Sequence, residues 1–157
     1  MTIFVQVDEQ FNVDTIPLER ALQATLHHIN KNTQASEINL IITDETQVQQ
    51  LNSQFRGINA PTDVLSFENM PDPDFSQIDP SGDAYLGDIV IAYPVAQKQA
   101  QAHGHTTLDE IILLAVHGAL HLLGFDHDTP ENKHQMWAVQ QQIMTQLGLS
   151  HVQPTET

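Results

Sequence analysis

Apolar side chains recur with two periods along this chain, and the switches between them mark its elements. In "TIFVQV" (2–7) they alternate, as in a half-buried strand. The segment "IPLERALQATLHHI" (16–29) turns to helical spacing at Leu18, Leu22, Leu26 and Ile29, with Pro17 in the first turn. "EINLIIT" (37–43) reads as a second strand. "DETQVQQLNSQF" (44–55) reads as a short helix capped by Thr43 or Asp44, with Val48, Leu51 and Phe55 on one face. Two more strands, "DVLSF" (63–67) and "LGDIVIAY" (86–93), flank a loop over 69–83 that holds Pro71, Pro73, Pro80 and Gly82. A loop of that length serves as a lid or a tether. "PVAQKQAQAHG" (94–104) predicts a helix closed by Gly104. Thr107 and Glu110 then spell a capping box that opens the central helix. From Leu108 to Leu123 that helix is apolar nearly all round, which predicts burial, and Gly124 stands where glycine ends a helix. Thr129 and Pro130 begin a last helix running to Gly148. The pattern gives an α+β single domain over residues 1–150, with 151–157 as a disordered tail.

Composition changes this picture in one respect. Twenty acidic residues stand against five basic ones, Arg20, Lys31, Arg56, Lys98 and Lys133, for a net charge of −15. Such a surface repels nucleic acid and anionic membrane in bulk, so binding through a broad basic patch is excluded. An anionic substrate has to be caught locally, by a metal or by single cations; DNA and membrane are not expected partners. With no cysteine, neither disulfides nor thiolate metal sites are available. The start lacks the basic and apolar regions of a signal peptide, and no apolar run reaches membrane length, so the chain is read as cytoplasmic.

The candidate chemistry lies at the end of the central helix, in "AVHGALHLLGFDHD" (115–128). At about 100° per residue, His117 and His121 share one helix face, one turn apart. His127 follows Gly124, where the chain can fold back to add a third nitrogen. Three imidazoles with a free fourth position are the catalytic form of zinc coordination, and neutral ligands leave the ion a strong Lewis acid. One buried histidine would be an ordinary core residue; three in the pattern His-x3-His-x5-His point to a metal. Gly118 occupies the place of the general-base glutamate in the His-Glu-x-x-His zinc proteases. Its missing side chain either leaves room beside the ion or allows close helix packing. Asp126, just past a helix C-terminus, is a candidate to support a ligand imidazole; Asp128 has the simpler reading of a helix cap. The other histidines, at 27, 28, 103, 105, 134 and 151, read as solvated.

The stretch "HGALHLLGFDH" (117–127) resembles the signature of the YbeY family of bacterial rRNA-maturation endoribonucleases, H-G-x-L-H-L-x-G-Y-D-H, with Phe125 in place of the usual tyrosine. "LNSQFRGINAPTDVLSF" (51–67) and "LGDIVI" (86–91) are similar to two further blocks of that family. The resemblance implies a mixed four-stranded sheet packed with about five helices. It also implies a zinc-dependent, single-strand-preferring endoribonuclease acting at the 3′ end of small-subunit rRNA and in ribosome quality control. On it, one zinc ion is held by His117, His121 and His127, and the functional arginine falls on Arg56. Ribosomal RNA and small-subunit proteins are the implied partners. Arg56 also stands out on its own, as a scarce cation suited to fork onto phosphate; its plainer reading is a surface salt bridge. Asp88 interrupts an apolar strand, as an edge residue or as an acid behind the site. Two other functions stay open: a non-catalytic ribosome-assembly factor, which the acidity suits, and a metallopeptidase, which Gly118 disfavours.

Overall fold

Strand alternation decides which side chains meet which helices, and so where the histidines end up. The computed structural model describes residues 2–29, 37–68 and 85–154; the loop predicted over 69–83 lies outside the described residues. In chain order the elements are β1 (Thr2–Val7), α1 (Thr15–His28), β2 (Glu37–Thr43), α2 (Glu45–Arg56), β3 (Val64–Phe67), β4 (Tyr85–Ala92), α3 (Tyr93–His103), α4 (Thr107–Leu122) and α5 (Pro130–Gln146). One sheet runs in the order β1-β2-β4-β3. β1, β2 and β4 are parallel, which needs helical crossovers such as α1, while β3 pairs antiparallel with β4 at the edge. This is the single α+β domain with a mixed four-stranded sheet and five helices that the sequence led us to expect.

On β2 and β4, Ile38, Leu40, Ile42, Ile89 and Ile91 project into the main core beneath α1, α4 and α5. The alternate residues Val90 and Ala92 point the other way, where with Leu65 and Phe67 they meet Val48 of α2. α4 is therefore the central helix, with eleven of its sixteen residues buried, which fits its nearly unbroken apolar sequence. Gly87 brings the end of that helix close to the sheet. Its φ of 141° suits glycine, and a Cβ there would stand 2.2 Å from Phe67 O and 2.8 Å from Leu122 Cδ2.

Two expectations are corrected. Thr106, not Thr107, caps α4, accepting the Asp109 N–H at 3.1 Å. Glu110 does not reach back to the cap; it is wholly buried and meets His105 Nε2. A buried carboxylate without a partner is costly, so this tertiary contact outweighs the local capping box. It also takes His105 out of the solvated group: its side chain is 3% exposed. The second correction concerns the tail. Val152 is 0% exposed within the main core, so the chain is anchored there, while His151 and Gln153 on either side stay exposed. Full burial of a valine contributes about 1.5–3 kcal/mol, enough to hold a chain end against fraying.

Candidate metal centre

Helical geometry supplies two of the three imidazoles. One turn apart on α4, His117 and His121 hold their Nε2 atoms 3.2 Å from each other. The third depends on the chain reversal after α4. Gly124 takes a φ of 101° and donates its N–H to His121 O at 3.1 Å, and the Phe125 N–H reaches Leu120 O at 3.0 Å. The turn brings His127 back, and its N–H is held by Asp126 Oδ1 at 2.7 Å. One nitrogen from each ring then lies within 4.8 Å of the other two. Nitrogens bound to one tetrahedral ion at 2.0–2.1 Å stand about 3.3 Å apart, so the pair on α4 already has the spacing a shared ion needs. The trio could hold a metal ion.

The electrostatics suit that role. Burial, with His121 and His127 beside it, pushes His117 down to about 4, opposed by a hydrogen bond to Gln140. Burial and then His127 lower His121, with Asp126 pulling the other way. At neutral pH both rings are thus uncharged, the form that ligates metal. His127 is exposed, which puts the open side of the cluster toward solvent.

A cavity of about 610 Å³ opens over the three histidines, and Arg56, Lys133, Asp63 and Trp137 also line it. Arg56 ends α2, is exposed, and points Nη2 toward Ser66 O at 3.5 Å. Its charge is felt at His121, where it disfavours protonation. Trp137 of α5 stands edge-on to His117 and His127, with ring centroids 5.5 and 5.4 Å away, and Lys133 Nζ lies 5.5 Å from the indole centroid. The arrangement puts the positive charge of Arg56 and Lys133 and a three-nitrogen cluster around one space.

The other sequence candidates fall as follows. A Cβ on Gly118 would lie 2.8 Å from Ile89 Cγ2, so close helix–sheet packing accounts for this glycine, although it also borders the cavity. Asp126 supports the His127 backbone and lines a second hollow that His121 also borders; it bonds no ligand ring. Asp128 accepts from Asn132 Nδ2 at 2.8 Å, while Thr129 caps α5. Asp88 is not brought to the site. Ile89 faces α4, so strand alternation turns Asp88 to the other side of the sheet, where it is 3% exposed and accepts from Asn39 Nδ2 and the Tyr85 hydroxyl. Burial and the Asp88 carboxylate together raise Tyr85 well above the usual phenol range. Sequence reasoning missed Asp63, Trp137 and Gln140. For Gln140 a signal existed: it shares a helical stripe with the buried Met136, Ile143 and Met144.

These features define an α+β domain whose central helix ends in a three-histidine cluster under a cavity. The profile of the family described as endoribonuclease YbeY matches residues 4–148, so this chain belongs to the YbeY family. An endoribonuclease YbeY of Moorella thermoacetica is 41% identical over 143 residues, covering 85% of this chain and 91% of the relative. One of Chloroflexus aurantiacus is 40% identical over 149 residues, covering 94% and 96%. A Thermotoga maritima protein known from a solution structure shares the fold, with a TM-score of 0.58, 21% identity and 99% of each chain covered. Among the described residues no helix is long and apolar enough to cross a membrane.

Proposed function

We propose that this chain is a zinc-dependent endoribonuclease of the cytoplasm. In this reading it prefers single-stranded RNA, and it acts in maturing the 3′ end of small-subunit rRNA and in ribosome quality control. The observation that carries the proposal is the meeting of Arg56 with His117, His121 and His127 around one cavity in a member of the YbeY family. His117, His121 and His127 would hold one zinc ion. When bound, that ion supplies Lewis-acid polarisation to a phosphodiester hydrolysis. Arg56 engages the non-bridging phosphoryl oxygens and stabilises the charge that grows on them in the transition state. Trp137 closes one wall beside the ligands, and the acidic surface keeps distant phosphates away, so contact is confined to the cavity mouth.

The −15 charge favours a second reading, a zinc-holding assembly factor that docks on basic ribosomal proteins without cutting RNA. One experiment separates the two. A structured fragment from the 3′ end of small-subunit rRNA is incubated with zinc-loaded wild type and with His121→Ala, and new ends are mapped. Discrete new ends with wild type that vanish in the variant support the nuclease. No new ends from zinc-loaded wild type, with ribosomal subunits still bound, would favour the docking factor.

A further inference from the structure

Behind the ligand trio sits a group that neither the histidine spacing nor the proposed chemistry requires. Gln140 comes from α5, is 2% exposed, and holds its Oε1 2.9 Å from His117 Nδ1. An amide oxygen only accepts, so the contact keeps a proton on Nδ1 and leaves the Nε2 lone pair free. That Nε2 is the atom facing His121 Nε2 at 3.2 Å. His117 is hydrogen-bonded to α5 and has little room to turn: His121 stands edge-on at 4.7 Å and Trp137 edge-on at 5.5 Å between centroids. Helical register explains why a polar residue is there. Gln140 takes one place on a stripe otherwise filled by Met136, Ile143 and Met144, and a buried side-chain amide at that place is retained only with a partner.

We infer that Gln140 is a positioning residue that fixes the metal-ligating tautomer and orientation of His117, and that its neutral amide keeps metal affinity below what a carboxylate there would give. The inference rests on the metal-holding part of the proposed function and deepens it. A group hydrogen-bonded behind a ligand imidazole orients the ring and tunes its basicity, and losing one typically weakens metal binding ten- to a hundredfold. A neutral acceptor orients the ring but adds no negative charge to a set of three neutral nitrogens. The ion's charge is then left for the substrate.

The test is zinc affinity by competition with a chromogenic chelator, with no RNA present, on wild type, Q140M and Q140E. Methionine keeps the volume and removes the acceptor, so zinc affinity should fall about ten- to a hundredfold. Glutamate can only accept through its carboxylate, so it holds His117 in the same tautomer and adds negative charge behind it, and affinity should exceed wild type. A merely structural role would move the melting temperature of the metal-free protein in both variants and leave the order of affinities unchanged. Q140M binding zinc as tightly as wild type overturns the inference, and so does Q140E binding zinc no more tightly than wild type. If Q140M does not fold, the Q140E affinity decides alone by the same criterion. Wild type that binds zinc but cuts no RNA removes the proposed nuclease and leaves this inference standing. Wild type that binds no zinc removes both.

Discussion

Replacing Gly118 by alanine sets two known magnitudes against each other at one buried contact. In an exposed helix Gly→Ala is stabilising by about 1 kcal/mol, because glycine loses more backbone freedom on folding. Here the new Cβ would arrive 2.8 Å from Ile89 Cγ2 and 3.3 Å from Cγ1. Both atoms sit directly on the Ile89 β-carbon, so no rotation about a distal bond moves them clear, and Ile89 is 0% exposed in a central strand. Overpacking of this kind costs about 1–3 kcal/mol, and an immovable neighbour places the cost in the upper part of that range. The expected net loss is therefore about 1–2 kcal/mol. At roughly 2–4 °C per kcal/mol for a chain of this size, the melting temperature should fall by about 2–8 °C. Thermal unfolding of metal-free protein followed by circular dichroism measures it. A cycle with Ile89→Ala sharpens the result: that change alone leaves a hole costing about 2–5 kcal/mol, which the new methyl partly fills. The double variant should lose less than the sum of the singles. A Gly118→Ala protein that melts at or above wild type, with additive double-variant losses, would refute the packing explanation for this glycine.

Arg56→Ala should leave zinc content and melting temperature near wild type, because Arg56 is exposed and its hydrogen bond to Ser66 O is long, while single-turnover RNA cleavage should slow on the order of a hundredfold. Metal loss in that variant would mean the residue braces the fold. Glu110 gives a pH signature. Burial holds its carboxyl above the usual value of 4.5 despite His105, so its contribution to stability is full below 4.5 and is lost as pH rises through the raised folded value. The stability of wild type relative to Glu110→Gln should therefore decline as pH rises from 4.5, in melting curves of both proteins; a gap that widens with pH would contradict the assignment. RNA affinity should respond gently to salt, since the cavity mouth offers few cations: about two or three neutralised phosphates, each worth roughly 0.7 log units per decade of salt. A filter-binding slope implying eight or more would show a different mode of contact.

How legible the site was in the sequence depended on how local each feature is. His117, His121 and the turn at Gly124 follow from helical repeat and one glycine, so their convergence could be read directly. Arg56 was visible because cations are so scarce in this chain. The capping box at Thr107 and Glu110 failed for the opposite reason: a local pattern competed with a tertiary partner, His105, and the buried pair won. Asp88 could not be placed from sequence, because which side of the sheet it faces depends on how the sheet meets α4. Gln140 was hidden in a run of three glutamines, and only its register with Met136, Ile143 and Met144 marks it as inward. The sheet order β1-β2-β4-β3 came from family resemblance only as a mixed four-stranded sheet. Strand order is a property of long-range pairing that periodicity does not carry.

The central claim is that His117, His121 and His127 hold one catalytic ion. Its most direct test is a titration of zinc into chelator-stripped protein, with single-turnover cleavage of a single-stranded RNA followed at each step. Cleavage should be absent at the start, rise in proportion to added zinc, and level off at one equivalent per chain, with His121→Ala flat throughout. Stripped protein that cuts as fast as loaded protein, or a His121→Ala variant that follows the wild-type curve, would contradict it.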